Sequence, residues 1–358
     1  MHRLAASLLA LFALAAPHGR ASAQFNPATM GGGIVAPAWT PAKLATPATG
    51  WWTAQSWSTL TTNSSTMRSA GTSPPVISVA TSGGTQPFGL VIQCTLLGVR
   101  GVWQFRYSLD NGNTWTTGIT SAATVAIANG LTLTIATGAA ATNDVWTSTI
   151  SAWANKGTVS DSLTNSVGAQ SVYTLSAING HPALYFDGVA NSYTSGVNAS
   201  SYISTTAGVI YAVVSVVSVT NDSASPNSND GLFSTSAGYT GLSFRKSTVV
   251  ASAFDFAPGF LFTSTTAGPA IVLSTPFVVK WAHFASGASM SITVNGGAAT
   301  TVSSGTTGGL ANTWQVMRDA NAHFLNGYLG ELIMTTSITT GDEAKLYAYF
   351  NAKWGPSA

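Results

Sequence analysis

Between residues 76 and 338 the chain is written as short runs rich in Val, Ile, Thr, Phe, Tyr and Trp. VISVA (76–80), GLVIQC (89–94), VWQFRYSL (102–109), LTLTIA (131–136), FVVKWAHF (277–284) and YLGELIM (328–334) are examples, and Gly, Asn, Asp, Ser or Pro closes each run. β-Branched and aromatic side chains lose rotamer freedom in a helix and pack well on a pleated surface. With turn residues at this density, the expected fold is all-β, a sandwich or a barrel. The most apolar internal run, VIYAVVSVVSV (209–219), is short for a bilayer span and is interrupted by Ser. It reads as a buried strand.

One helix is expected, at the C-terminus. Thr340 and Glu343 have the spacing of a capping box, and Asp342 and Glu343 sit at the positive end of the helix dipole. Leu346, Phe350 and Trp354, with Tyr347 beside them, form one apolar stripe suited to lie on a sheet. Gly355-Pro356 ends the helix.

The N-terminus reads as a secretory leader, residues 1–23. A basic start (His2, Arg3) precedes the apolar run LAASLLALFALAA, and Ala21 and Ala23 take the small positions of a cleavage site. Residues 24–48, rich in Pro, Ala and Gly, read as an irregular lead-in. Loss of Arg3 and Arg20 with the leader balances thirteen Lys+Arg against eleven Asp+Glu. A neutral chain without basic clusters has no electrostatic footprint for nucleic acid or an anionic membrane. The single cysteine, Cys94, lies at an alternating apolar position and reads as a buried thiol. An exported chain with no internal disulfide must rely on its core.

NGHPALYFDG (179–188), SITVNGG (291–297) and FLNGYLGELIM…TTGDEAKLYAYFNAKWG (324–355) resemble segments of concanavalin A-like, laminin G-like jelly-roll domains. The resemblance implies a jelly-roll sandwich with a C-terminal helix. Where that family often carries two acidic residues after the FDG turn, this chain has Ala190 and Asn191. TGWWTAQSWSTL (49–60) is similar to the family's opening strand, and SAWANKG (151–157) to the segment that usually follows soon after. The jelly roll is therefore expected to be discontinuous, 49–70 and 150–358, with a small β-sandwich module, 71–149, inserted in a surface loop.

That module contains SLDNGNTW (108–115), which resembles the Asp-box of sialidases and other β-propeller glycosidases. The box occurs once, whereas a propeller repeats it at blade spacing. The arginines outside the leader (Arg68, Arg100, Arg106, Arg245 and Arg318) are scattered. Asp-Asn-Gly-Asn is strong turn chemistry, so Asp110 is expected to hold a hairpin and Trp115 to pack in the module's core.

Glycoside hydrolysis needs two carboxyl groups across the scissile bond. The chain has two glutamates, Glu331 and Glu343. Glu343 is assigned to the helix start, and Glu331 is expected to bond nearby backbone or side chains. No nucleophile elbow partners His181, His283 or His323, and no clustered zinc ligands occur. No cofactor is expected. Calcium is the one metal considered, with Asp187, Asp222, Asp230 and Asp319 as candidate ligands.

Sugar binding asks for less: an aromatic face and a few planar polar groups. Trp281 and His283 share one strand face at period two, and Trp314, Arg318, Asp319 and His323 precede the FLNG turn. These six residues form the expected carbohydrate site. The expected function is a secreted, non-catalytic recognition or adhesion protein for a glycan or cell-surface polysaccharide. The alternatives are a structural surface or phage-tail-like assembly component, and a polysaccharide-active hydrolase or lyase.

Overall fold

The computed structural model describes residues 39–54, 60–62, 67–71, 74–81, 89–165, 170–204, 207–219, 230–237, 241–246, 254–259, 271–283, 289–303, 309–320 and 322–355. Residues 1–38, where a leader and most of the lead-in are expected, Trp57 and Asp222 lie outside them. The described residues are mostly strand, with one α-helix, at the C-terminus. Among them, no helix is long and apolar enough to cross a membrane.

The largest hydrogen-bonded array draws its strands from described residues between 50 and 62 and between 149 and 335, and its ladders are antiparallel. Its central strand, Asn326–Thr335, pairs with Gly208–Ser218 along one edge. Its other edge pairs with His181–Asp187 and then with Gly50–Thr53. The array doubles over one buried cluster. Phe244, near one end of the strand order, lies 6.2 Å from Phe277, near the other.

Gly208–Ser218 shows why this sequence gives a continuous apolar run rather than an alternation. Ile210, Ala212, Val214 and Val216 enter the central cluster. Val209, Tyr211 and Val213 point the other way, into a second cluster under the helix. A strand covered on both faces loses the period-two signal.

The helix, Thr340–Trp354, covers that second face with Leu346, Tyr349, Phe350 and Trp354. Its cap is Thr339 rather than Thr340: the Thr339 hydroxyl accepts from the Asp342 amide. Asp342 accepts from the Ala45 amide at 2.9 Å, and Glu343 pairs with Lys280 at 2.5 Å. Glu343 therefore ties the helix to the sheet instead of closing a capping box, because Lys280 emerges on the helix side of its strand. Gly355 ends the helix at φ 56°, and Asn179 donates to the Trp354 carbonyl at 2.7 Å. The last part of the lead-in is packed: Leu44 and Ala48 are buried in the helix-side cluster. These side chains, the Trp39 ring against Tyr349, and bonds to Asp342 and Ser337 hold it there, which its Pro/Ala composition did not suggest.

Residues 67–147 form three ladders separate from the large array. Five strands (Arg68–Ala70, Val145–Thr147, Val91–Leu96, Gln104–Ser108 and Thr116–Thr120) make one sheet. Ile77–Thr81, Leu131–Ile135 and Thr124–Ile127 make another, and Gly98–Val99 pairs with Ala139–Ala140. The two larger sheets close over their own cluster, including Ile77, Leu133, Ile92, Phe105 and a stacked Trp103–Trp146 pair. Cys94 is buried there, and burial followed by the Asp144 charge raises its thiol pKa. The thiol is thus held neutral.

Candidate ligand-binding face

The six residues singled out for sugar binding do not form one exposed cleft. Trp281 and Trp314 are fully buried, each packed edge-on against Phe233 with centroid separations of 5.8 and 5.9 Å. His283 is buried beside Trp281 and its Nε2 meets the Ser204 carbonyl at 2.8 Å. Period two correctly put Trp281 and His283 on one face, but that face is the core between the layers. Neither indole offers a surface to a sugar ring.

Arg318, Asp319 and His323 do come together, at the turn between Thr313–Val316 and Asn326–Thr335. Asp319 is buried and accepts from both the His323 amide and Nδ1, each at 2.8 Å. The Arg318 guanidinium lies 5.2 Å from the Phe324 ring. Met317 and Ala322 hold positive φ at either end, so the Asp319 carboxylate staples a tight turn.

The other carboxylates are likewise engaged. Glu331, fully buried, accepts from Trp51 Nε1 (2.6 Å) and the Tyr349 hydroxyl (2.9 Å) on Oε1. Its Oε2 accepts from Lys353 Nζ (2.8 Å) and Trp354 Nε1 (2.7 Å). Gly330 makes this possible: a Cβ there would stand 2.7 Å from the Trp354 ring. Asp187 caps its own turn through the amides of Val189, Ala190 and Asn191. Asp161 takes the Tyr202 hydroxyl, and Asp230 is fully buried. Among the described residues, no group of three His, Cys, Asp or Glu could hold a metal ion.

The Asp-box hairpin brings together a different set. Asp110 accepts from the Ser108 hydroxyl (2.6 Å) and from the Thr114 amide and hydroxyl (2.8 and 2.7 Å). Burial raises its pKa, but these bonds outweigh burial and hold the carboxyl below the usual aspartate range. A depressed folded-state pKa gives stability that is present above the unfolded value and lost as pH falls through the folded one. We expect an NMR titration to place the Asp110 transition below that of a free aspartate. Asp110→Asn should abolish that transition, and an ordinary aspartate value in the wild type would refute the assignment. At the hairpin tip, Asn111 Nδ2 donates to the Tyr173 carbonyl at 3.0 Å, fastening the module to the large array.

Trp115 does not join the module's core. It stays part-exposed on the outer face of the five-stranded sheet, with the Arg106 guanidinium 4.2 Å from its ring centroid. The reason is a bulge. Tyr107 pairs with Thr116 but Phe105 pairs with Ile119, so the extra residue breaks the alternation that would have turned Trp115 inward. Arg106 sits between the inward Phe105 and Tyr107 and so faces out. Its Nε and Nη2 donate to Gln93 Oε1 at 2.9 and 2.6 Å, and Gln93 Nε2 donates to Asn143 Oδ1 at 3.3 Å. Asn143, Gln93, Arg106 and Trp115 thus form one line across the sheet. The outward position of Arg106 was legible from strand parity; that of Trp115 was not.

No protein-family model matches the chain, and no curated protein matches it. Solved structures give distant similarities. Domain 4 of an extracellular arabinanase from Geobacillus stearothermophilus, in complex with arabinotriose, is 14% identical, with a TM-score of 0.35, over 51% of this chain and 82% of that one. A GH54 α-L-arabinofuranosidase is 12% identical, with a TM-score of 0.41, over 86% and 63%. A Trypanosoma rangeli sialidase is 11% identical, with a TM-score of 0.41, over 58% of this chain and 32% of that one. The chain therefore spans under two thirds of the latter two proteins.

Proposed function

We propose that this chain is an exported, non-catalytic saccharide-recognition protein. In this reading the large array is a concanavalin A-like jelly-roll sandwich, and the inserted β module, expected over 71–149, is taken as 67–147 because Arg68–Ala70 pairs with Val145–Thr147 while Thr149 pairs within the array. Saccharide binds on the outer face of the module's five-stranded sheet. The observation that carries this is the line Asn143–Gln93–Arg106–Trp115, which sets a part-exposed indole beside planar polar groups on an open sheet. An indole face takes the C–H side of a sugar ring, and amides and a guanidinium take its hydroxyls. The non-catalytic part rests on the carboxylates: Glu331, Glu343, Asp110, Asp161, Asp187 and Asp319 are each spent on bonds that hold the fold. Trp115→Ala should weaken binding to any glycan selected on an array by about tenfold or more, the range of an aromatic anchor. Unchanged affinity on calorimetry, or no glycan bound at all, would remove the reading.

An assembly role has one observation in its favour. Val76, Leu96, Leu97, Val99 and Val102 are all exposed, and hydrogen bonds bring their segments together at one end of the module. Contiguous exposed aliphatic surface marks a contact site. Light scattering on the mature chain would discriminate: a strict monomer at all concentrations excludes self-assembly through this patch.

A further inference from the structure

The chemistry of the module face narrows the class of saccharide, and this inference rests on the saccharide reading above. A guanidinium carries five N–H donors in a planar fork. Arg106 commits Nε–H and one Nη2–H to Gln93. The Nη1 hydrogens and the second Nη2 hydrogen have no partner among the described residues. This free end-on pair is the edge that matches the two oxygens of a carboxylate.

Among the described residues, no ion pair neutralises the charge of Arg106 either. Its contacts are the neutral Gln93 amide and the Trp115 ring. Asp110, the acidic residue closest to it along the chain, is turned into the hairpin onto Ser108 and Thr114. Stacking on the indole and bonding to Gln93 fix the guanidinium plane before any ligand arrives, so little side-chain entropy remains to be lost on binding.

We propose that this face binds a uronate-bearing saccharide. The carboxylate docks end-on to Arg106, the ring lies on the exposed part of Trp115, and Gln93 and Asn143 take hydroxyls. Thr120, exposed and opposite Gln104 on the face that Arg106 shares, extends the row of hydroxyl partners across the sheet, which suits a run of sugar rings. An acidic peptide would use the charge but leave the indole and this hydroxyl row without complementary groups.

The test uses the mature full-length chain and calorimetry with hexamers of galacturonate, mannuronate and glucuronate, each beside its carboxyl-reduced neutral counterpart. At least one uronate should bind about tenfold or more tightly than its reduced form, and the margin should shrink as salt is raised. Arg106→Gln should abolish the margin of the uronate over its reduced form, while the affinity for the reduced form falls by less than that for the uronate. Arg106→Lys, which keeps the charge but not the fork, should fall between and guards against a folding artefact. Equal binding of acidic and reduced hexamers, insensitive to Arg106→Gln but lost in Trp115→Ala, would overturn the uronate assignment and leave saccharide recognition standing. No binding of any hexamer would overturn the uronate assignment, and no binding of any glycan on an array besides would overturn both. Poly-glutamate binding as tightly as the best uronate would overturn the proposal in favour of an acidic peptide.

Discussion

Replacing Glu331 with alanine is expected to lower the unfolding free energy by about 3–5 kcal/mol, the range found when one partner of a buried ion pair is removed. The physical reason is what remains behind. The Lys353 ammonium, 13% exposed, would lose its counter-charge, and two indole N–H groups and a phenol would lose their acceptor. Lys353 already sits where burial lowers its pKa against the opposing pull of Glu331. Glu331→Gln keeps the volume but not the chemistry. Its NH2 would face either Trp354 Nε1 and Lys353 Nζ or Trp51 Nε1, all donors only, so at least one buried donor loses its acceptor in either orientation. Its cost should approach that of alanine. Lys353→Met should cost less, because three neutral donors still hold the carboxylate. Urea unfolding followed by tryptophan fluorescence measures all three. A Glu331→Ala loss below about 1 kcal/mol would show that the cluster does not lock the first strand and the helix onto the sheet.

Trp281→Ala should also cost about 3–5 kcal/mol, as large-to-small changes of buried aromatics do. The indole is fully buried, shares Phe233 with Trp314, and lies 5.6 Å from the His283 ring. A cavity there opens in the middle of the cluster that holds the two layers together. Trp281→Phe should cost much less, since Trp281 Nε1 makes no hydrogen bond among the described residues. Trp354→Phe, by contrast, should cost more than its change in area, because it takes a donor from a buried carboxylate. Binding on the module face should be unchanged in any Trp281 variant that remains folded. A stable Trp281→Ala protein with selectively lost glycan binding would mean that this indole is a ligand contact after all.

Much of this was written locally. The strand runs, the stripe of Leu346, Phe350 and Trp354, the turn at Asp110 and the bonded state of Glu331 all follow from residue chemistry and short-range spacing. The cap moved by one residue, from Thr340 to Thr339, because two adjacent threonines differ only in which one the chain leaves outside the helix. The candidate site was less legible. Trp281 and Trp314 carried the strongest aromatic signal and went into the core, while Trp115, assigned to the core, came out.

The sequence by itself determined that this chain builds sheets, where it turns, and that its last helix has one face to bury. Those properties depend on neighbours a few residues away. Only the tertiary structure decided which side of each strand would be dry. Phe277–His283 alternates Val279 and Trp281 with Val278 and Ala282, and both sets are buried, one between the layers and one under the helix. Period two separates two faces but cannot say what covers either. A single bulge between Gln104–Ser108 and Thr116–Thr120 then exchanges inside for outside, and it is that extra residue which lays Trp115 beside Arg106 on open surface.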